Sequence, residues 1–143
     1  AIRQMLHRLT ELGPPTVVVK SVRTEDGGYA NVAYSRVDES LCVVPFERLP
    51  VNYPGTGDTF GSVLLGALLT GAGLRESMAL ATAFLSHAVR LTQAAGTPAR
   101  EGVLLEAALP WLWQHGATID AADDATRIST QSDRQVGSRE GQA

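Results

Sequence analysis

One cysteine, Cys42, is all that the 143 residues contain. That excludes an internal disulfide and any metal site built from several cysteines, and it predicts a reducing, cytoplasmic setting. There is no surplus of positive charge either. Twelve Lys and Arg stand against 15 Asp and Glu, for a formal net charge of −3. Such a chain offers no broad basic field, so no nucleic-acid partner is expected. Long apolar runs are missing: none approaches the roughly 20 residues of a membrane span. The N-terminal AIRQMLHRLTEL lacks the charged-then-apolar layout of an export signal. It also lacks an initiator Met and opens inside a helical pattern, which predicts a fragment or a processed chain. No internal repeat is found.

What is present reads as globular. Hydrophobic residues make up 44% and charged ones 19%, in a length typical of one domain. Ile2, Met5, Leu6 and Leu9 follow helical spacing, and Gly13-Pro14-Pro15 ends that helix. The β-branched run Thr16-Val17-Val18-Val19 predicts a strand buried on both faces, as in a parallel sheet. A polar turn over Thr24–Gly28 follows, where Arg23, Glu25 and Asp26 are expected in solvent. Tyr29–Val37 and Leu41–Phe46 then read as two more strands around the charged turn Asp38-Glu39-Ser40.

Helices dominate the remainder. Phe60, Val63, Leu64, Ala67 and Leu68 mark one face of the first, and Leu65 and Leu69 make its other side apolar, so burial all round is expected. Leu74, Met78, Ala81, Leu85 and Val89 form the stripe of a second helix. Leu104, Leu105, Ala108, Leu109 and Leu112 form that of a third. Trp111 and Trp113 cannot share a face, so one is expected in the core and the other near the surface. From about Ala117 the chain has no aromatic residue and few aliphatic ones. Residues 117–143 therefore predict a disordered polar tail. The order of elements fits the back half of an α/β domain, with helices packed on a mostly parallel sheet.

The chemistry centres on Pro54-Gly55-Thr56-Gly57-Asp58. A Walker A loop needs Lys-Ser or Lys-Thr after its last glycine, but Gly61 to Gly66 run into Ala67-Leu68. A dinucleotide fingerprint needs G-x-G-x-x-G directly after the first strand. Here Gly55, Gly57 and Gly61 give one residue too many, after a proline-bearing loop. A third reading is an anion-binding turn at a helix N-terminus. Two glycines let the backbone approach a phosphate, and the free amides and helix dipole favour its charge. Asp58 then lies where a carboxylate would accept a proton from an attacking hydroxyl. In isolation, G-x-G-D describes an ordinary turn with a capping Asp equally well.

The longer run decides. Gly55-Thr56-Gly57-Asp58-Thr59-Phe60, followed by the small and apolar Ser62, Leu64, Gly66 and Leu68, resembles the C-terminal signature of ribokinase-like kinases. The resemblance covers roughly residues 1 to 115 and only that family's C-terminal half. It implies that Gly55, Thr56 and Gly57 form an anion hole and that Asp58 is the general base, in contact with the substrate hydroxyl. Hydroxymethylpyrimidine phosphate kinases usually carry Cys at the position of Asp58, and sugar kinases more often read G-A-G-D. The vitamin B6 kinases look closest. Against them, Lys20 with Ser21 matches a strand end that contacts ATP phosphates, and Val44-Pro45-Phe46 resembles the strand exit flanking the nucleotide. The resemblance thus implies ATP and Mg²⁺, a B6 vitamer phosphorylated at its 5′-hydroxymethyl group, and a homodimer when full length. The alternatives are a hydroxymethylpyrimidine or sugar kinase, or a catalytically incomplete nucleotide-binding fragment. Elsewhere, Cys42 is expected as a small buried apolar residue. The spacing of His7, His87 and His115 does not predict a zinc site.

Overall fold

Apolar residues at helical spacing make Ile2–Glu11 an amphipathic helix, α1, that buries Leu6 and Thr10. The computed structural model describes residues 2–116; the predicted polar tail, 117–143, lies outside the described residues. Three strands follow α1: β1 (Thr16–Arg23), β2 (Tyr29–Ser35) and β3 (Ser40–Phe46). They form one sheet in the order β1-β2-β3, and both ladders are antiparallel. Val37 falls in the turn between β2 and β3 and is 83% exposed, so the second strand ends two residues short of the sequence expectation.

The parallel pairing expected from Val17–Val19 is not found among the described strands. The apolar run reports burial on two faces, not strand direction. Val17 and Val19 pack with Leu6, Ala30, Val32 and Tyr34 on the α1 side. Val18 joins Ala33, Cys42 and Phe60 on the opposite side. Alternation along each strand therefore feeds two cores, one per face of the sheet. Cys42 sits in the second, as expected of a buried free thiol.

That second face is covered by two helices, α2 (Thr56–Leu69) and α3 (Leu74–Ala95). Phe60, Met78 and Ala81 are their buried contributions, with Val63 and Leu64 beside them. Full burial of one Phe is worth about 2–3 kcal/mol, so Phe60 anchors the start of α2 to the sheet. The rest of α2 departs from expectation. Leu65 is 57% and Leu69 78% exposed, so only one face of this apolar helix is covered among the described residues.

Gly96, left-handed at φ 68°, ends α3. A short 3₁₀ turn, Ala99–Glu101, leads to a last helix, α4, over residues 105–116. Leu104 precedes this helix, and Leu105 and Leu109 remain more than a third exposed. Ala108, Trp111 and Leu112 pack on Phe84 and Ala88 of α3. Trp113 is 74% exposed, so the two tryptophans divide between core and surface as their spacing requires. No described helix is long and apolar enough to cross a membrane.

Candidate active site

Gly55 is the N-cap of α2, at φ 79° and ψ −2°. A side chain there would cost about 1–2 kcal/mol in the left-handed region, so the turn itself selects glycine. The first backbone bond of α2 runs from the Thr59 amide to the Gly55 carbonyl at 2.9 Å, and the Thr59 hydroxyl donates to the same oxygen at 3.0 Å. The amides of Thr56, Gly57 and Asp58 precede that bond and have no intrahelical acceptor. Gly57 is a different case from Gly55. Its φ is not in the left-handed region, and a Cβ placed on it would meet nothing within 4 Å. Nothing in the described packing demands glycine at 57, and the absence of a side chain leaves the neighbouring amides open.

Asp58 lies in the first turn of α2, exposed, and α2 has no side-chain cap hydrogen bond. Asp58 makes no side-chain cap: Gly55 holds the cap position. The carboxylate is free to interact with the helix dipole and with whatever approaches the turn.

Lys20 comes to this turn from a distant part of the chain. Between Val19, opposite Val32, and Val22, opposite Ala30, β1 carries an extra residue against β2. Ser21 within this bulge takes φ 56°. Lys20 precedes the left-handed residue and, two positions after Val18, shares its face towards α2 by plain alternation. Here the ammonium of Lys20 donates to the Thr56 carbonyl at 3.2 Å and stands 4.8 Å from the centre of the Phe60 ring. Burial lowers the Lys20 pKa below its ordinary value, and the nearby Asp58 charge partly opposes that shift. Lysine, glycine turn and acid thus form one constellation, although 36 residues separate Lys20 from Thr56.

A cleft of about 140 Å³ opens beside Lys20 and Ser21, walled by Phe46, Tyr53, Thr56 and Leu85. Of the three residues at the predicted strand exit, Phe46 alone faces it. Val44 packs in the core against Cys42 and Phe60, and Pro45 is exposed. Strand alternation gives the reason for Pro45: it points to the opposite face from Val44 and Phe46. A second, wider depression of about 480 Å³ lies on the other side of the turn, bordered by Pro54, Asp58, Glu101, Val103 and Leu109. The Gly55–Asp58 turn is the partition between the two.

The phosphomethylpyrimidine kinase family profile matches residues 1–102. The chain belongs to that family. Two crystal forms of a Bacteroides thetaiotaomicron protein, provisionally named a phosphomethylpyrimidine kinase, are 36% identical to it, with TM-scores of 0.72 and 0.71. They cover 76% and 78% of this chain, and the second form was crystallised with pyridoxal. Pyridoxal kinase from Lactobacillus plantarum is 29% identical over 80% of the chain, with a TM-score of 0.66. Pyridoxal kinase from Entamoeba histolytica, at 20% identity, 76% coverage and a TM-score of 0.63, shares the fold. The chain spans between 37% and 43% of the length of these structures. No curated protein matches it significantly.

Family membership makes a nucleotide-bound Mg²⁺ the cation to test against the site. Among the described residues no three His, Cys, Asp or Glu side chains are grouped to hold a metal. Mg²⁺ commonly takes only one or two carboxylates and otherwise phosphate and water. Asp58 is the carboxylate available at the turn, so the described residues fit an ion carried on phosphate and not a protein cage. His7 does have an i+4 partner: Glu11, 3.5 Å away on the exposed side of α1. His87 and His115 both stack on Trp111 and face away from the turn's two clefts.

Sequence reasoning passed over three buried residues near the turn. Asn31, 2% exposed, faces α3 from β2, and Thr82 receives its side-chain amide at 3.0 Å. Thr92, fully buried in α3, accepts the Leu104 amide at 2.9 Å. The available signal was polarity out of place: an Asn inside Ala30–Ala33, and two threonines in a helix interior.

Proposed function

We propose that this chain carries the phosphate turn and general base of an ATP-dependent kinase acting on the 5′-hydroxymethyl group of pyridoxal or a related B6 vitamer. The observation that carries the reading is Lys20 brought to the Thr56 carbonyl beside Asp58. A cation, three free amides and a carboxylate around one turn suit phosphoryl transfer, which needs positioning and charge stabilisation above all. The cleft beside Lys20 suits the nucleotide, and the Asp58 side suits the alcohol. The hydroxyl oxygen bonds to the γ-phosphorus as the bond to the ADP oxygen breaks, and its proton passes to Asp58. The Thr56, Gly57 and Asp58 amides stabilise charge on the transferring group, and Lys20 balances charge on the nucleotide phosphates.

The choice of a B6 vitamer rests on the 36% identical protein crystallised with pyridoxal and on the pyridoxal kinase at 29% identity. The family description favours a second reading, a hydroxymethylpyrimidine acceptor. Asp58, where those enzymes usually carry Cys, weighs against it. Assay of the intact protein with ATP, Mg²⁺ and each of pyridoxal, pyridoxamine, hydroxymethylpyrimidine and ribose separates the two. Phosphorylation of a B6 vitamer is expected, and turnover confined to the pyrimidine would replace the leading reading.

A further inference from the structure

Lys20 sits on the α2 face by strand alternation from Val18, and the bulge that follows it in β1 is held by one buried side chain. The Asn31 carboxamide oxygen accepts the Ser21 amide at 3.1 Å, while its NH₂ donates to the Thr82 hydroxyl at 3.0 Å. Thr82 in turn donates to the Met78 carbonyl at 2.7 Å. This chain of three hydrogen bonds crosses from strand to strand to helix. It fixes the left-handed Ser21, a conformation that costs about 1–2 kcal/mol for a residue with a Cβ. Asn is suited to the task because its amide offers an acceptor and a donor at once. Leucine or alanine would leave the Ser21 amide without its acceptor and the Thr82 hydroxyl with only the Met78 carbonyl, and free the bulge to straighten. Straightening moves the Lys20–Ser21 peptide, and with it the root of the Lys20 side chain, out of the position from which the ammonium reaches the Thr56 carbonyl.

We propose that Asn31, braced by Thr82, is the positioning residue for Lys20, and through it for nucleotide phosphate at the Gly55–Asp58 turn. The inference rests on the kinase reading above. Neither residue touches the transferring group; they act by keeping the ammonium aimed at the turn.

The test is a double-mutant cycle on the intact protein, read as ATP affinity by titration calorimetry and as KM and kcat. Asn31→Ala is expected to weaken ATP binding about tenfold, comparable with the loss of one charge-assisted bond. The KM for the alcohol stays within about twofold. With Lys20 already Ala, the same Asn31→Ala adds less than about twofold, since residues acting through one another are not additive. Thr82→Val is expected to weaken ATP binding about threefold, and Thr82→Ser, which keeps the hydroxyl, restores it. That valine–serine pair carries the test where Asn31→Ala fails to fold. A full tenfold loss from Asn31→Ala on top of Lys20→Ala overturns the proposal, as does equal damage from Val and Ser at 82. A wild-type protein that does not bind ATP, or a Lys20→Ala variant that binds it normally, overturns the kinase reading as well, and so is told apart from a failure of Asn31 alone.

Discussion

On the Lys20 side of the Gly55–Asp58 turn, polar groups are tied across four elements: Ser21 to Asn31, Asn31 to Thr82, and Lys20 to Thr56. On the Asp58 side, the acid has no side-chain hydrogen bond among the described residues, and its neighbours are largely apolar: Val103, Leu105 and Leu109. One buried polar contact steadies that side from behind. The Thr92 hydroxyl accepts the Leu104 amide, two residues beyond Gly102, where an added Cβ would crowd the Pro54 carbonyl. The difference separates two tasks. Holding a phosphate, as proposed for the Lys20 side, requires fixed charges and dipoles, and Lys20 and the free amides of the turn supply that kind of group. Choosing an alcohol requires a shaped, enclosed wall, and the described residues leave that side open, with Leu65, Leu69 and Trp113 in solvent.

The largest test of this division falls on Asp58. Asp58→Asn keeps the shape of the turn and removes the proton acceptor, so kcat is expected to fall about 10²–10⁴-fold. ATP affinity should change little, since the nucleotide is held from the other side. A matching loss in ATP affinity would merge the two sides into one. Lys20→Ala should do the reverse: the KM for ATP rises about 10- to 100-fold, the worth of one or two charge-assisted bonds, while the alcohol KM holds. An unchanged ATP KM returns Lys20 to a structural role over Phe60.

Gly57→Ala tests the partition itself. The open space around this position lets a methyl group in without a clash, and alanine is favoured over glycine in a helix by up to about 1 kcal/mol. Thermal stability should hold or rise. The methyl group sits over the free amides, however, and kcat is expected to fall about tenfold, a fraction of the loss when a whole donor is removed. A variant that is both stable and fully active would leave the amides without a part in transfer.

Glycine spacing, and the run from Gly55 to Phe60, made the turn and its acid legible in the sequence, because backbone requirements there are local. The helices were legible from periodicity for the same reason. Strand direction was not. Val17–Val19 looks the same whether its neighbours run parallel or antiparallel, because pattern records burial and pairing is a long-range choice. The uncovered side of α2 was hidden too, since Leu65 and Leu69 encode a preference for burial but not the surface that would satisfy it. Lys20 was legible only by resemblance. Alternation from Val18 gives its face but not its partner 36 residues away, and no residue type announced the bulge beside it: Ser21, not glycine, holds the left-handed position.

The smallest expected effect distinguishes the charge on Lys20 from its carbon chain. Burial lowers its pKa from the ordinary 10.5, against the opposing pull of Asp58. The folded chain therefore binds this proton more weakly than the unfolded chain does. Between the lowered value and 10.5 the unfolded chain holds more protons, so stability rises as pH climbs through that window. Below the window the cost of burying the charge is present in full. Lys20 is only partly buried, and solvent screening keeps the rise small. Nucleotide phosphate favours the charged amine, so ATP affinity should fall over the same window in which stability rises. Lys20→Met keeps the packing on Phe60 and should abolish both slopes. Denaturant unfolding and ATP titrations from about pH 8 upward measure them side by side. If the wild-type protein and the Lys20→Met variant show equal slopes, the charge on Lys20 is not what couples the sheet to the turn.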